Sequence, residues 1–128
     1  MVVSQNGHKD IVKILLDHGA DINEKDKLGN SALIYATIIK QKGIVDFLIQ
    51  HGANINIKNQ KGDTPLIIAC NNGSKELIEL LIRYGVDINI KNNKNLSPLQ
   101  ITQMRGFHDI SNFLISCGAK NIENEFYL

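Results

Sequence analysis

A five-residue string recurs along the chain at one fixed interval, and that interval limits the fold more than any other feature. Gly19-Ala20-Asp21-Ile22-Asn23 returns as Gly52-Ala53-Asn54-Ile55-Asn56, and again as Gly85-Val86-Asp87-Ile88-Asn89. A worn copy begins at Gly118-Ala119. Each copy starts 33 residues after the one before it, without insertion. Leu15, Leu48, Leu81 and Leu114 keep this register, as do Ile11, Ile44, Leu77 and Ile110, and Leu33, Leu66 and Leu99. A constant period of this size marks a repeat array. Each unit is too small to bury its own apolar stripe, so neighbours must stack to do it.

Each unit reads as two short helices and an extended turn. Thr64-Pro65-Leu66 matches Ser97-Pro98-Leu99 and, more loosely, Ser31-Ala32-Leu33. A hydroxyl at the helix start accepts a hydrogen bond from a free N–H of the first turn. Proline tolerates the next position because no N–H is needed there. The spacing predicts a first helix over about residues 64–71, ended by Gly73, and a second over about 74–83. Gly7, Gly73 and Gly106 share the register of that break, and Lys40 is the exception. Leu77, Ile78, Leu81 and Ile82 form the apolar stripe of the second helix. Gly85 closes it, since glycine takes the left-handed conformation at low cost. Asp87-Ile88-Asn89-Ile90 alternates like an extended arm, and Asn92-Asn93-Lys94-Asn95 is a turn tip.

The period, the Thr-Pro-Leu start, the Gly-Ala-Asp-Ile-Asn turn and Gly7-His8 together resemble the ankyrin repeat, over roughly residues 2–122. The resemblance implies an all-α fold, a solenoid of stacked helix-turn-helix units with β-hairpin-like turns. It divides the single domain 1–128 into a partial repeat 1–25, repeats 26–58 and 59–91, and a last repeat with its cap, 92–128. One departure concerns the histidine that follows Thr-Pro-Leu in the family. Ile34, Ile67 and Gln100 stand there instead, so the turns must be locked differently and apolar contact should increase. The first unit lacks its turn and most of its first helix. Either the chain is a piece of a longer array, or an open face carrying Val2, Val3, Ile11 and Ile14 invites weak self-association. In the last unit Ser111 replaces Val45 and Ile78, and Thr102 replaces Ala36 and Ala69, which predicts a polar outer face. The tail Glu123-Asn124-Glu125-Phe126-Tyr127-Leu128 leaves the pattern and is expected to fold back or fray.

Ankyrin repeats mostly mediate protein–protein contact and carry no chemistry. The resemblance therefore implies a scaffold whose partner is another protein, or a substrate-recruiting segment of a larger multidomain protein. It implies no enzymatic activity, no cofactor, no metal and no small-molecule substrate. The family's variable contact positions fall at the turn tips on Lys27, Leu28 and Asn30, on Gln60, Lys61 and Asp63, and on Asn93, Lys94 and Leu96. At the ends of the first helices they are Ile38, Ile39, Asn71, Asn72, Met104 and Arg105. Before the closing glycines they are His18, His51 and Tyr84. Leu28, Ile38, Ile39, Tyr84, Leu96 and Met104 stand out, because apolar and aromatic anchors dominate interfaces. The plainer reading of the same residues is scattered surface hydrophobics, with Ile38 partly covered by the next repeat.

Other function classes find little support in the residues. Fourteen Lys and Arg face thirteen Asp and Glu, for a formal charge of +1, with no basic stripe of the kind nucleic acids require. No apolar run nears the roughly 18 residues that span a bilayer. The start Met1–His8 lacks the basic and apolar regions of a signal peptide. Two cysteines without a CxxC make no disulfide framework, so an intracellular, cytoplasmic setting is expected, with Cys70 in the core. His18 and His51 share a repeat position near a helix end, where a cation suits the helix dipole. Units about 10 Å apart hold them too far from each other to share a metal. His8 fits the family's Gly-His turn, and His108, beside Asp109, reads as a solvated helix start. Asp21, Asp26 and Asp87 belong to turns, where short side chains bond the local backbone.

Overall fold

The computed structural model describes residues 19 and 21–120. Six helices occur among them: α1 (Ala32–Ile38), α2 (Lys42–Gln50), α3 (Pro65–Asn72), α4 (Lys75–Arg83), α5 (Pro98–Met104) and α6 (His108–Ser116). First helices start at 32, 65 and 98 and second helices at 42, 75 and 108, so the sequence period is also the period of the fold. Within a repeat α1 packs on α2, α3 on α4 and α5 on α6. Between repeats α1 packs on α3, α3 on α5 and α2 on α4. This is an all-α repeat solenoid; the hairpin-like arms contain no strand among the described residues.

Local chemistry sets each helix end. Ser31, Thr64 and Ser97 are extended, and their hydroxyls accept the N–H groups of Ile34, Ile67 and Gln100 at 3.4, 3.2 and 3.2 Å. The first helices thus begin one residue after the hydroxyl, with Pro65 and Pro98 at the first helical position. Each helix pair is split by a left-handed residue: Lys40 (φ 60°), Gly73 (φ 66°) and Gly106 (φ 74°). Just beyond it Gln41, Ser74 and Phe107 donate their N–H to the carbonyls of Ala36, Ala69 and Thr102 at 2.9, 3.0 and 2.9 Å. These bonds satisfy carbonyls that the helix end leaves open. Lys40 adopts the glycine conformation because the repeat imposes it. A side chain there costs about 1–2 kcal/mol.

One core runs through all three helix pairs. Leu33, Val45, Leu48, Leu66, Ile78, Leu81, Leu99 and Leu114 are fully buried within it. Ile34 and Ile67, which stand where the family has histidine, are also buried, so the substitution does add apolar contact. Gln100 takes the third such position and closes a reciprocal cap, its Oε1 accepting the Ser97 N–H at 2.9 Å. The expected polar outer face on the last repeat is not what Thr102 and Ser111 form. Both are buried, with their hydroxyls in contact at 2.8 Å. Thr102 donates to the Leu99 carbonyl, and Ser111 Oγ lies 2.9 Å from that of Phe107. Their counterparts Ala36 with Val45, and Ala69 with Ile78, are buried residues of α1–α2 and α3–α4. The hydroxyls therefore satisfy one another inside a helix pair instead of facing outward. The Val2, Val3, Ile11 and Ile14 face and the tail 123–128 lie outside the described residues.

Asparagine and aspartate lock the turns. Asp26, Asn59 and Asn92 each accept two backbone N–H groups of their own turn, at 2.9–3.1 Å. Asn59 Nδ2 then donates to Asn30 Oδ1 at 3.2 Å, and Asn92 Nδ2 to Asp63 Oδ1 at 3.0 Å, which ties each turn to the previous one. A second ladder runs along the other turns. Asn23, Asn56 and Asn89 accept the N–H of Asn54, Asp87 and Lys120 at 2.7, 3.0 and 3.0 Å. At the tips the backbones themselves join, Gln60 N–H to Leu28 O at 3.2 Å and Asn93 N–H to Lys61 O at 3.0 Å. Glycine is required at that approach. A Cβ on Gly62 (φ 75°) would lie 2.7 Å from the Asn93 backbone nitrogen.

Lys40→Gly should therefore stabilise the fold by about 1 kcal/mol, read as a higher denaturation midpoint in urea. Gly62→Ala should lower that midpoint, since it adds both a clash and a strained φ.

Candidate functional site: the concave groove

Turn tips and first helices line two open concavities on one face. The larger, about 660 Å³, is bounded by Gln60, Lys61, Asp63, Ile67, Asn71, Asn92, Asn93, Lys94, Leu96, Ile101, Met104 and Arg105. The smaller, about 370 Å³, is bounded by Leu28, Asn30, Ile38, Asn59, Gln60, Lys61, Asp63, Ile68, Asn71 and Asn72. They share Gln60, Lys61, Asp63 and Asn71, so the third repeat supplies a wall to both. The groove is continuous because the tips are bonded to one another and the first helices stack in register.

Most predicted contact residues meet here. Leu28, Ile38, Asn71, Asn72, Lys61, Lys94, Met104 and Arg105 are exposed on its walls. Leu28, on the smaller concavity, is 62% exposed and Met104, on the larger, 72%, unusual openness for large apolar side chains. Other members of the set have structural duties as well. Asn30 is buried, and Asp63 and Leu96 are half-buried. Gln60 Nε2 donates to the Lys27 carbonyl, and Asn93 Nδ2 to the Gln60 carbonyl at 2.7 Å. Lys27, Ile39, His51 and Tyr84 are exposed but line neither concavity.

His51 and Tyr84 are engaged at the far ends of the second helices. His51 caps α2, its Nδ1 lying 2.8 Å from the Phe47 carbonyl oxygen and its ring stacked on Phe47 at 4.0 Å. The Tyr84 hydroxyl donates to the Asp46 carboxylate and accepts from Gln50 Nε2 at 3.2 Å, linking α2 to the end of α4. Its hydrogen bond to Asp46 holds the phenol above its ordinary pKa, because ionisation would cost that bond and set two anions together. His18 and His8 lie outside the described residues.

Sequence reasoning missed Tyr35, Ile68 and Ile101. They occupy one register position, and apolar character in all three copies was the available signal. Ile68 and Ile101 line the groove. Tyr35 is 42% exposed and donates its hydroxyl to the Asp26 carboxylate. That bond, with the Asn30 and Leu28 N–H groups, holds the Asp26 carboxyl below the ordinary aspartate value.

A sequence model of ankyrin repeats, in three copies, matches residues 1–59 and 39–125. The chain belongs to the ankyrin repeat family. No curated protein matches it. Ankyrin repeats are generally protein-interaction modules and typically non-enzymatic scaffolds. Among the described residues of this ankyrin array, no group of His, Cys, Asp and Glu could hold a metal ion. No described helix is long and apolar enough to cross a membrane. Cys70 is buried, and burial pushes its thiol up to about 12 by excluding the charged thiolate from water. Cys117 is half-buried.

A disulfide-exchange thiol reagent at pH 8 should accordingly label Cys117 in the folded ankyrin array and reach Cys70 only on denaturation, as counted by mass spectrometry. A folded-state pKa depressed as Asp26's is gives stability that is present above the ordinary aspartate value and lost as pH falls through the lowered one. Tyr35→Phe should raise the Asp26 pKa and move that loss to higher pH, as seen by carboxyl NMR titration and acid unfolding.

Proposed function

We propose that this ankyrin array is an intracellular binding scaffold that grips a partner protein in the concave groove. The observation that carries the reading is the placement of Leu28, Ile38 and Met104. All three are exposed, apolar and on the one surface that turn tips and first helices share. Burying them against a partner recovers roughly 25 cal/mol for each Å² of apolar surface removed from water. Of the seven large exposed hydrophobics among the described residues, Tyr35, Ile38 and Met104 lie on first helices, Ile39 caps α1 and Leu28 sits on a turn tip, which leaves Tyr84 and Ile115 at the second helices. A groove already held open by the fold also loses little conformational freedom on binding.

The chain used as bait with Leu28→Asp and Met104→Asp should lose captured partners by about tenfold relative to wild type, at unchanged melting temperature. Ile115→Asp, which removes an exposed apolar side chain on α6, should leave capture intact. Equal loss from Ile115→Asp, or full capture by the groove variants, would place binding elsewhere.

A further inference from the structure

The two concavities differ in charge. The smaller has Lys61 and Asp63 as its only ionisable lining groups. The larger adds Lys94 and Arg105, giving three cations against one carboxylate. That carboxylate, on Asp63, already accepts a hydrogen bond from Asn92 at 3.0 Å. The whole chain carries a formal charge of only +1, so the excess is a local feature that folding assembles from separate repeats. Lys61, Lys94 and Arg105 are exposed, and the apolar side chains of Leu96, Ile101 and Met104 line the same concavity.

We propose that the groove between the third and fourth repeats binds an extended acidic segment of another protein. Its carboxylates pair with Lys61, Lys94 and Arg105, and an apolar side chain between them sits on Met104. The inference rests on the reading of the groove as a protein-binding surface and names the chemistry of the occupant. Complementary charge steers encounter and excludes basic competitors, while apolar burial supplies affinity that salt does not screen. The Arg105 guanidinium suits a carboxylate, which it can hold through two parallel N–H bonds. A single-stranded nucleic acid would also meet the cations, but it depends on aromatic rings for base stacking, and no aromatic residue lines this groove.

Fluorescence anisotropy with a labelled peptide of alternating glutamate and serine around a central leucine pair provides the test. The full chain should bind it, and replacing glutamate by lysine should abolish binding. The double variant Lys94→Glu, Arg105→Glu should weaken binding by at least about tenfold, and Met104→Ser should weaken it even at high salt. Lys75→Glu, at an exposed position on α4, should change it by less than about twofold. Amide NMR shifts should concentrate at Asn71, Lys94 and Met104. No binding up to about 1 mM, equal binding of the lysine peptide, or tighter binding of oligouridylate would each overturn the proposal. If the acidic peptide fails while Leu28→Asp and Met104→Asp still abolish partner capture, the charge assignment falls and the groove reading stands.

Discussion

Everything in this molecule depends on one repeat covering the apolar side of the next. Leu48 and Leu81 lie one period apart on α2 and α4, which pack together, and α1, α3 and α5 form a second row. No single helix pair of nine- and seven-residue helices, such as α5 and α6, encloses a core by itself. Stability in such a chain is close to a sum of unit terms and neighbour terms. That arrangement explains why the polar ladders matter. Asn23, Asn56 and Asn89 each reach into the following turn, so neighbour coupling has a hydrogen-bonded part as well as an apolar one.

The same coupling explains how the groove arises. Its walls are not built by any one repeat. Lys61 comes from one turn, Lys94 from the next, and Met104 from the end of a helix further along the chain. The turn tips are kept level by backbone bonds, and the helices behind them are kept in register by the core. Part of the groove lining is therefore independent of the core that holds the stack. Residues such as Leu66, Ile78 and Leu81 hold the stack, while Leu28, Ile38 and Met104 take no part in the buried core.

Much of this was legible in the sequence because the period repeats the same physical problem several times. Hydroxyl caps, helix breaks and the apolar stripes followed from residue type and spacing, and the contact positions came from the family resemblance. Less legible were side-chain contacts between helices. Nothing in the one-dimensional order says that Tyr84 donates to Asp46, or that Thr102 and Ser111 pair inside the core. Hydroxyls at Thr102 and Ser111 suggested exposure, whereas their buried pairing changes the outcome. The charge of the larger groove was hidden for the same reason, since Lys61, Lys94 and Arg105 are far apart in the chain and look like ordinary surface cations.

The bonded row of tips has a metrical consequence. Stacked helices repeat every 8–10 Å or so, and a polyproline-II chain advances about 3.1 Å per residue, with three residues per turn. A polyproline-II segment laid along the ledge would present equivalent side chains to successive units at every third position. Such a segment would meet the array in triplets, with a cadence fixed by helix thickness rather than by any particular contact.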